Sequence, residues 1–154
     1  MDIAALTRID RSIDLQAPPD RVWRALTDKA ELSTWFQVEI DGELAAGGEV
    51  WMTSTHPAHA GTRFGVQIAE MTAPRRLVWR WHAGEVDSAV DYAREPRTTV
   101  TFTLEPLGPG TRLSVAETGF DEIALARRAK AYQDNAQGWA EVLVWLQRHV
   151  ERAG

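Results

Sequence analysis

The sequence predicts an α+β fold in which one antiparallel sheet of about six to seven strands is covered by a long C-terminal helix. Two observations predict it: short alternating segments recur between residues 38 and 118, and apolar residues follow helical spacing from 121 to 152. Helices that are separate from a run of strands indicate an α+β layer arrangement. Since the sheet must cover its apolar face, we expect the last helix to close over it and form an interior.

The N-terminal elements are a strand and two short helices. Residues 8–15 alternate and predict a strand, which Pro18-Pro19 ends. Proline is tolerated in a first helical turn, because its missing N–H would be unpaired there anyway. A first helix is indicated by the spacing of Val22, Trp23 and Leu26, and a second by that of Leu32, Trp35 and Phe36.

The central segments alternate as strands with one apolar face. Strands are predicted at 38–40, 50–53, 64–71, 77–82, 98–105 and 111–118. One face of each of the last three carries Leu77, Trp79 and Trp81; Val100, Phe102 and Leu104; and Leu113, Val115 and Glu117. The pattern fails from 83 to 96, which predicts a long loop, and Gly119 separates the last strand from the terminal helix.

Composition favours one cytoplasmic domain spanning residues 1–154. The chain is 44% hydrophobic and 25% charged, as in an ordinary globular protein. Its net charge of -5 argues against binding to duplex nucleic acid. It shows no apolar window that would insert into a membrane, no signal peptide and no cysteine. Seven tryptophans predict a bulky, rigid and slightly polar interior.

An ordered set of short segments resembles a known family. The segments are 17–27, Trp35-Phe36, 74–79 with Trp81, 100–102, 110–113, Gly119-Phe120, and Gly138-Trp139 with Leu143. Their order resembles the Hsp90-ATPase-activator-homologue-like group of the START-like (SRPBCC, polyketide cyclase and Bet v 1) helix-grip superfamily. This resemblance implies a strongly curved sheet gripping the C-terminal helix, with a cavity between them. It does not settle an activity, because the superfamily includes carriers, cyclases, hydrolases and co-chaperone domains.

Glu117 is the first candidate for chemistry. Many relatives show a Leu-x-Leu-x-His-x-Gly-Phe pattern before the last helix, and here Glu117 stands at the histidine position. It continues the inward face of Leu113 and Val115, so its carboxylate would project into the cavity as an acid, a base or a hydrogen-bond acceptor. The alternative is a residue near the strand end that reaches solvent or pairs with a basic side chain.

A set of large side chains is predicted to line the cavity for a flat apolar ligand. Aromatic walls with a few placed polar groups are typical of small-molecule sites. For each residue alone, plain core packing is the simpler interpretation. The predicted ligand-binding residues are Trp79, Trp81, Phe102, Val115, Glu117, Tyr132 and Trp139. Entry is expected past the loop at 83–96, whose Gly84, Asp87, Ser88 and Asp91 suit mobility.

The histidines offer little for metal chemistry. His56 and His59 flank Pro57, but no third ligand is placed by the sequence, so no metal or other cofactor is expected. His82 falls opposite the Trp79 and Trp81 face, which predicts a rim or surface position. The chain also has no nucleophile elbow, phosphate loop or cysteine nucleophile.

Three functions remain open. The first is a small-molecule binding protein for an apolar or aromatic ligand. The second is a cyclase- or hydrolase-like enzyme that uses Glu117 as acid or base, which would need a second polar group that the sequence does not identify. The third, implied by the resemblance alone, is an interaction module for an Hsp90-type chaperone. Edge strands could also support a homodimer.

Overall fold

A seven-stranded antiparallel sheet with the order β1-β7-β6-β5-β4-β3-β2 forms the body of the molecule. The computed structural model describes residues 6–83 and 94–152. The strands are β1 (Arg8–Leu15), β2 (Val38–Asp41), β3 (Glu49–Ser54), β4 (Arg63–Thr72), β5 (Arg76–Trp81), β6 (Thr98–Leu107) and β7 (Gly110–Thr118). The helices are α1 (Pro19–Thr27), α2 (Lys29–Phe36), a 3-10 helix (Phe120–Glu122) and α3 (Leu125–Arg152). This is the expected helix-grip fold.

The two short helices close one end of the sheet. Pro19 begins α1, and the Asp28 side chain caps α2 by accepting a hydrogen bond from the Glu31 backbone N–H at 3.0 Å. Buried Trp35 ties the helices together, because its indole N–H donates to the Ala25 carbonyl oxygen at 2.7 Å. The predicted helical spacing of these residues is confirmed.

The register of the sheet brings the inward side chains of β5, β6 and β7 together. Val100 lies opposite Glu117, and Phe102 lies opposite Val115 and Leu77. Successive side chains of a strand point to opposite faces, so these residues share the face that α3 covers. The predicted face of β6 is confirmed, since Val100, Phe102 and Leu104 are all buried.

The terminal helix begins later than the sequence predicts. The expected start at Asp121 is wrong: a 3-10 helix spans Phe120–Glu122, Ile123 is extended, and α3 starts at Leu125. The interruption buries the Ile123 side chain completely. Arg128 satisfies carbonyl groups left free by the break, donating to the Ile123 oxygen at 3.0 and 3.2 Å and to the Asp121 oxygen at 2.7 Å.

Helix α3 packs against β1, α1 and α2 through an apolar stripe. The stripe contains Ala131, Trp139, Val142, Leu143, Leu146 and Val150, all buried. Between α3 and β5 the contact is made by large side chains, and the ring centroids of Trp139 and Trp81 lie 5.7 Å apart. In the described part of the chain, no helix combines the length and apolarity that crossing a membrane requires. Of the loop predicted at 83–96, residues 84–93, including the four proposed for entry, lie outside the described residues.

Gly110 is required by the close approach of β7 to the end of β1. A Cβ at this position would collide with the Leu15 carbonyl oxygen, which is rigid backbone. We expect Gly110→Ala to lower the free energy of unfolding by about 1–2 kcal/mol, as overpacking does in a close-packed interior. Urea denaturation measures the change. Gly138→Ala in α3 is the matched control, because a Cβ there meets nothing within 4 Å. Equal stability of the Gly110→Ala variant and the native chain would contradict the expectation.

Candidate functional site

A buried carboxylate lies at the centre of the interior between the sheet and α3. Glu117 is on the inward face of β7, two residues after Val115, and its exposed fraction is 0%. Four donors converge on it. The Trp81 indole N–H reaches Oε2 at 2.9 Å, and the Thr98 hydroxyl reaches the same oxygen at 2.6 Å. From α3, the Asn135 amide lies 3.0 and 2.8 Å from the two oxygens, and the Trp139 indole N–H reaches Oε1 at 2.8 Å.

The four groups that contact Glu117 in the described part of the chain are neutral. Because each contact comes from a donor, both oxygens act as acceptors, as in an ionised carboxylate. A carboxylate offers about four lone-pair positions, so these contacts occupy its accepting capacity. A general base needs a free lone pair within reach of the proton it removes. Chemically, the arrangement is therefore suited to fixing its donors in place, and above all the two indole rings.

Aromatic rings from both walls form one cluster around this carboxylate, named here the ring cluster. The Trp79 and Phe102 centroids lie 4.8 Å apart, Phe102 and Trp139 5.7 Å, and Trp79 and Trp81 5.4 Å. Phe64 on β4 adds an edge-on contact to Trp81 at 5.9 Å. Trp79, Phe102 and Trp139 are buried, whereas Trp81 and Phe64 are half-buried and form the outer part of the cluster.

The structure brings together most of the residues proposed for ligand contact. Trp79, Trp81, Phe102 and Trp139 belong to the ring cluster. Val115 is buried on the same strand face as Glu117. Tyr132 packs instead against Phe120, with ring centroids 5.3 Å apart, near the start of α3.

Three residues of the site were not singled out from the sequence. Thr98 continues the inward face of Val100 and Phe102 on β6, so the period of the strand was a usable signal for it. Asn135 lies four residues before Trp139, on the same side of α3. Phe64, whose contact with Trp81 joins β4 to β5, continues the inward face of Val66 and Ile68, so the period of the strand was a usable signal for it as well.

Among the described residues, one flank of α3 is open beside the ring cluster. A Cβ added to Gly138 meets no described atom within 4 Å, although the residue lies next to Trp139 in the helix. Along the axis of α3, contacts between the helix and the sheet side of the molecule lie before and after this flank. Toward the N-terminus, Arg127 donates to the Ala83 carbonyl oxygen at 2.6 Å and pairs with Glu95 at 2.6 and 2.7 Å.

Toward the C-terminus of α3, Trp145 stacks on His56 of the β3–β4 connection, with centroids 5.2 Å apart and an interplanar angle of 18°. Trp145 and Gly138 are seven residues apart, or two turns, and so lie on the same side of the helix. The open flank thus lies between two contacts that hold the helix to the sheet side.

The histidines occupy different surroundings. The His56 and His59 rings lie 6.0 Å apart, and the described residues contain no group of three potential metal ligands. His82 is half-buried at the end of β5. Burial, and next the charge of Arg97, hold the pKa of His82 below its usual value. Its position fits the predicted rim of the fold.

Two concavities formed by described residues lie elsewhere. One of about 260 Å³ is on the outer side of β1, β6 and β7, where Ser12, Thr101 and Ser114 line it. The other, of about 600 Å³, lies where the start of α1 meets Pro74-Arg75 and the end of β6. Both are away from the inward carboxylate, so the ring cluster remains the candidate site.

A curved antiparallel sheet closed by a long C-terminal helix over a polar centre defines a protein of the helix-grip class. The family model described as "Activator of Hsp90 ATPase homolog 1-like protein" matches residues 16–151. The chain therefore belongs to this family. Comparison with curated proteins gives no match.

Solved structures support the fold assignment. Protein MLL2253 from Mesorhizobium loti is 24% identical, with a TM-score of 0.76 over 96% of this chain and 98% of that one. DynU16, a protein of the dynemicin biosynthetic locus, is 21% identical, with a TM-score of 0.72 over 94% of this chain; the match spans 47% of DynU16. The Aha1 dimer from Colwellia psychrerythraea is 19% identical, with a TM-score of 0.69 over 94% of this chain and 96% of that one. At these identities the likeness concerns the fold.

Proposed function

We propose that this protein binds a small, flat apolar or aromatic molecule between α3 and strands β4 and β5. One observation carries the proposal: a single buried carboxylate fixes two indole rings, Trp81 from the sheet and Trp139 from the helix, beside a flank that Gly138 leaves open. Preorganised aromatic walls lower the entropy lost on binding. The ligand would contact the half-buried rings of Trp81 and Phe64 first.

In this proposal Glu117 orients the walls and takes no part in turnover. Its oxygens already accept from four side chains, so a substrate proton could reach it only by displacing a donor. The cyclase- or hydrolase-like alternative needs such a displacement and a second positioned group, and it ranks below binding. It would move to first place if Glu117→Gln abolished turnover of a bound compound while its affinity was unchanged.

The names of related proteins suggest what else to test. DynU16 belongs to a biosynthetic locus, which fits a small organic ligand. The family description names an activator of the Hsp90 ATPase, and one structural neighbour is a dimer. A chaperone partner and a homodimer are therefore secondary proposals. Stimulation of an Hsp90-type ATPase by the purified protein, and its mass in solution by light scattering, test them.

Gly138→Leu is expected to weaken ligand binding by filling the open flank. A helix-interior glycine costs about 1 kcal/mol relative to alanine, and here no close contact requires it. If the space serves a ligand, the leucine variant should be at least as stable as the native chain and yet bind roughly tenfold more weakly, a difference of about 1.4 kcal/mol. Quenching of tryptophan fluorescence by fluorene, a flat apolar probe, measures the affinity.

Ala140→Leu is the matched control, because Ala140 is exposed on another side of α3. It places the same leucine side chain on the same helix and should leave the affinity for fluorene unchanged. If Gly138→Leu and Ala140→Leu bound the probe equally well, the open flank would not be part of the site. If the native chain bound no fluorene, binding of this ligand class would be excluded.

A further inference from the structure

We infer that the ligand of the ring cluster carries a neutral hydrogen-bond acceptor, such as a carbonyl or ether oxygen, which accepts from the Trp79 indole N–H. This inference rests on the proposed function and specifies the chemistry of its ligand. The observation behind it is an unpaired donor. Trp79 is 1% exposed, and its Nε1 has no hydrogen-bond partner in the described part of the chain.

The donor is unusual for this interior. Leaving a buried N–H unpaired destabilises the folded chain, and most buried polar atoms are paired. The other two indoles of the cluster follow that rule, since the N–H groups of Trp81 and Trp139 both donate to Glu117. Trp79 differs from them although it lies on the same strand face as Trp81.

The aromatic side chains that contact the Trp79 ring cannot supply an acceptor for its N–H. Its ring neighbours are Phe36 at 6.2 Å, Phe102 at 4.8 Å and Trp81 at 5.4 Å, and none carries an oxygen. Trp81, half-buried in the outer part of the cluster, lies directly against Trp79. A fused system of two or three rings that stacks on Trp81 is long enough to reach Trp79 and to bring its own acceptor.

The charge of the site selects a neutral acceptor. Both oxygens of Glu117 accept from neutral donors, so the described groups around it include no cation that would receive an anionic ligand. In a low-dielectric interior a carboxylate or phosphate on the ligand would be repelled strongly by Glu117. A cationic amine would be attracted by it but would bring no acceptor for Trp79. A ketone, quinone or ether on a flat ring system satisfies the donor without adding charge.

Three probes of one shape test the inference: fluorene, 9-fluorenone with a carbonyl oxygen, and 9-aminofluorene with a cationic amine. We expect fluorenone to bind the native chain roughly tenfold more tightly than fluorene, as one buried hydrogen bond would give. In the 15N indole spectrum, fluorenone should move the Trp79 N–H resonance downfield, and fluorene should not. This measurement needs no substitution, so it does not depend on the folding of a variant.

Trp79→Phe removes the donor and should reduce the preference for fluorenone over fluorene to about twofold or less. Trp51→Phe, at an exposed tryptophan on β3, is the matched control and should keep the full preference. Equal binding of fluorene and fluorenone with an unmoved Trp79 resonance, or a downfield shift of that resonance with 9-aminofluorene as large as the shift with fluorenone, would overturn the inference and leave the proposed function standing. Failure of all three probes to bind would count against the proposed function itself.

Discussion

Replacing Glu117 by alanine is expected to lower the free energy of unfolding by about 3–5 kcal/mol, the range seen when one partner of a buried charged network is removed. The substitution leaves the Trp81, Thr98, Asn135 and Trp139 donors without their common acceptor. It also opens a cavity beneath α3. For a chain of this size the change corresponds to a fall in melting temperature of roughly 10 °C.

The Glu117→Gln variant distinguishes the effect of the lost hydrogen bonds on stability from the effect of the cavity. The glutamine has the same shape, but its amide NH₂ group must face donors where a carboxylate oxygen now accepts. We therefore expect a loss of about 1–3 kcal/mol with little change in core volume. Differential scanning calorimetry and urea denaturation measure both variants. The intrinsic tryptophan emission should shift toward red, because Trp81 and Trp139 lose the contact that orients them.

Glu105→Gln is the control for the loss of one negative charge, because Glu105 is exposed on β6. Its stability should stay within about 0.5 kcal/mol of the native chain. If Glu117→Gln were as stable as this control, the carboxylate would not be organising the interior. The assignment of Glu117 as the group that orients the walls would then be wrong.

The sequence could place Glu117 because a strand has a period of two. Once residues 111–118 alternate, Leu113, Val115 and Glu117 must share a face, and the covering helix makes that face the interior. The same rule could have added Thr98 through Val100 and Phe102. Local periodicity is thus sufficient to predict which residues the sheet contributes to the site.

The contribution of α3 is harder to predict, because helical spacing fixes the side of a residue but not its level along the axis. Tyr132 and Trp139 are seven residues apart and face the same way, yet about 10 Å separates them along the helix. The ring of Tyr132 therefore meets Phe120, whereas Trp139 reaches Glu117. Which residue of a helix reaches the centre depends on where the helix starts, and the break at Ile123 shifted that start.

The distinction between Trp79 and Trp81 also lies beyond the sequence. Both residues occupy one face of β5, and nothing in the pattern tells which indole finds an acceptor. That depends on tertiary distances: Trp81 lies within 2.9 Å of Glu117, while Trp79 is surrounded by rings. The sequence predicts an aromatic interior correctly, and the structure alone shows that one of its donors has no acceptor among the described residues.

Glu31 is the second residue whose replacement should have a large effect, because it joins three helices. Its carboxylate accepts from Arg21 at 2.6 Å and Arg24 at 2.6 Å, both on α1, and lies 2.9 Å from His149 Nε2 on α3. Burial alone would raise the pKa of Glu31, but hydrogen bonds from His149, Arg21 and Arg24 outweigh it and lower the pKa from 4.5 to about 2. The cluster therefore stabilises the packing of α3 on the short helices.

The sign of the pH dependence follows from this lowered pKa. Above its unfolded value of 4.5 the Glu31 carboxylate is ionised in both states, and its contribution to stability is fully present. As the pH falls from 4.5 toward 2 the unfolded chain takes up the proton first, so the contribution is lost across that window. The full shift would be worth about 3 kcal/mol, and partial exposure of the side chain leaves roughly 2 kcal/mol after solvent screening.

We expect Glu31→Gln to lower the free energy of unfolding by about 2–3 kcal/mol at pH 7, since three charge-assisted contacts weaken together. The difference between this variant and the native chain should shrink between pH 4.5 and pH 2, as measured by urea denaturation at each pH. For Glu43→Gln, at an exposed position before β3, the free energy of unfolding should differ from that of the native chain by the same amount at every pH. A Glu31→Gln difference that stayed constant down to pH 2 would show that shape, rather than the ionised carboxylate, holds α3 against the short helices. The site beside Gly138 depends on that packing, because it sets how far the helix lies from the sheet.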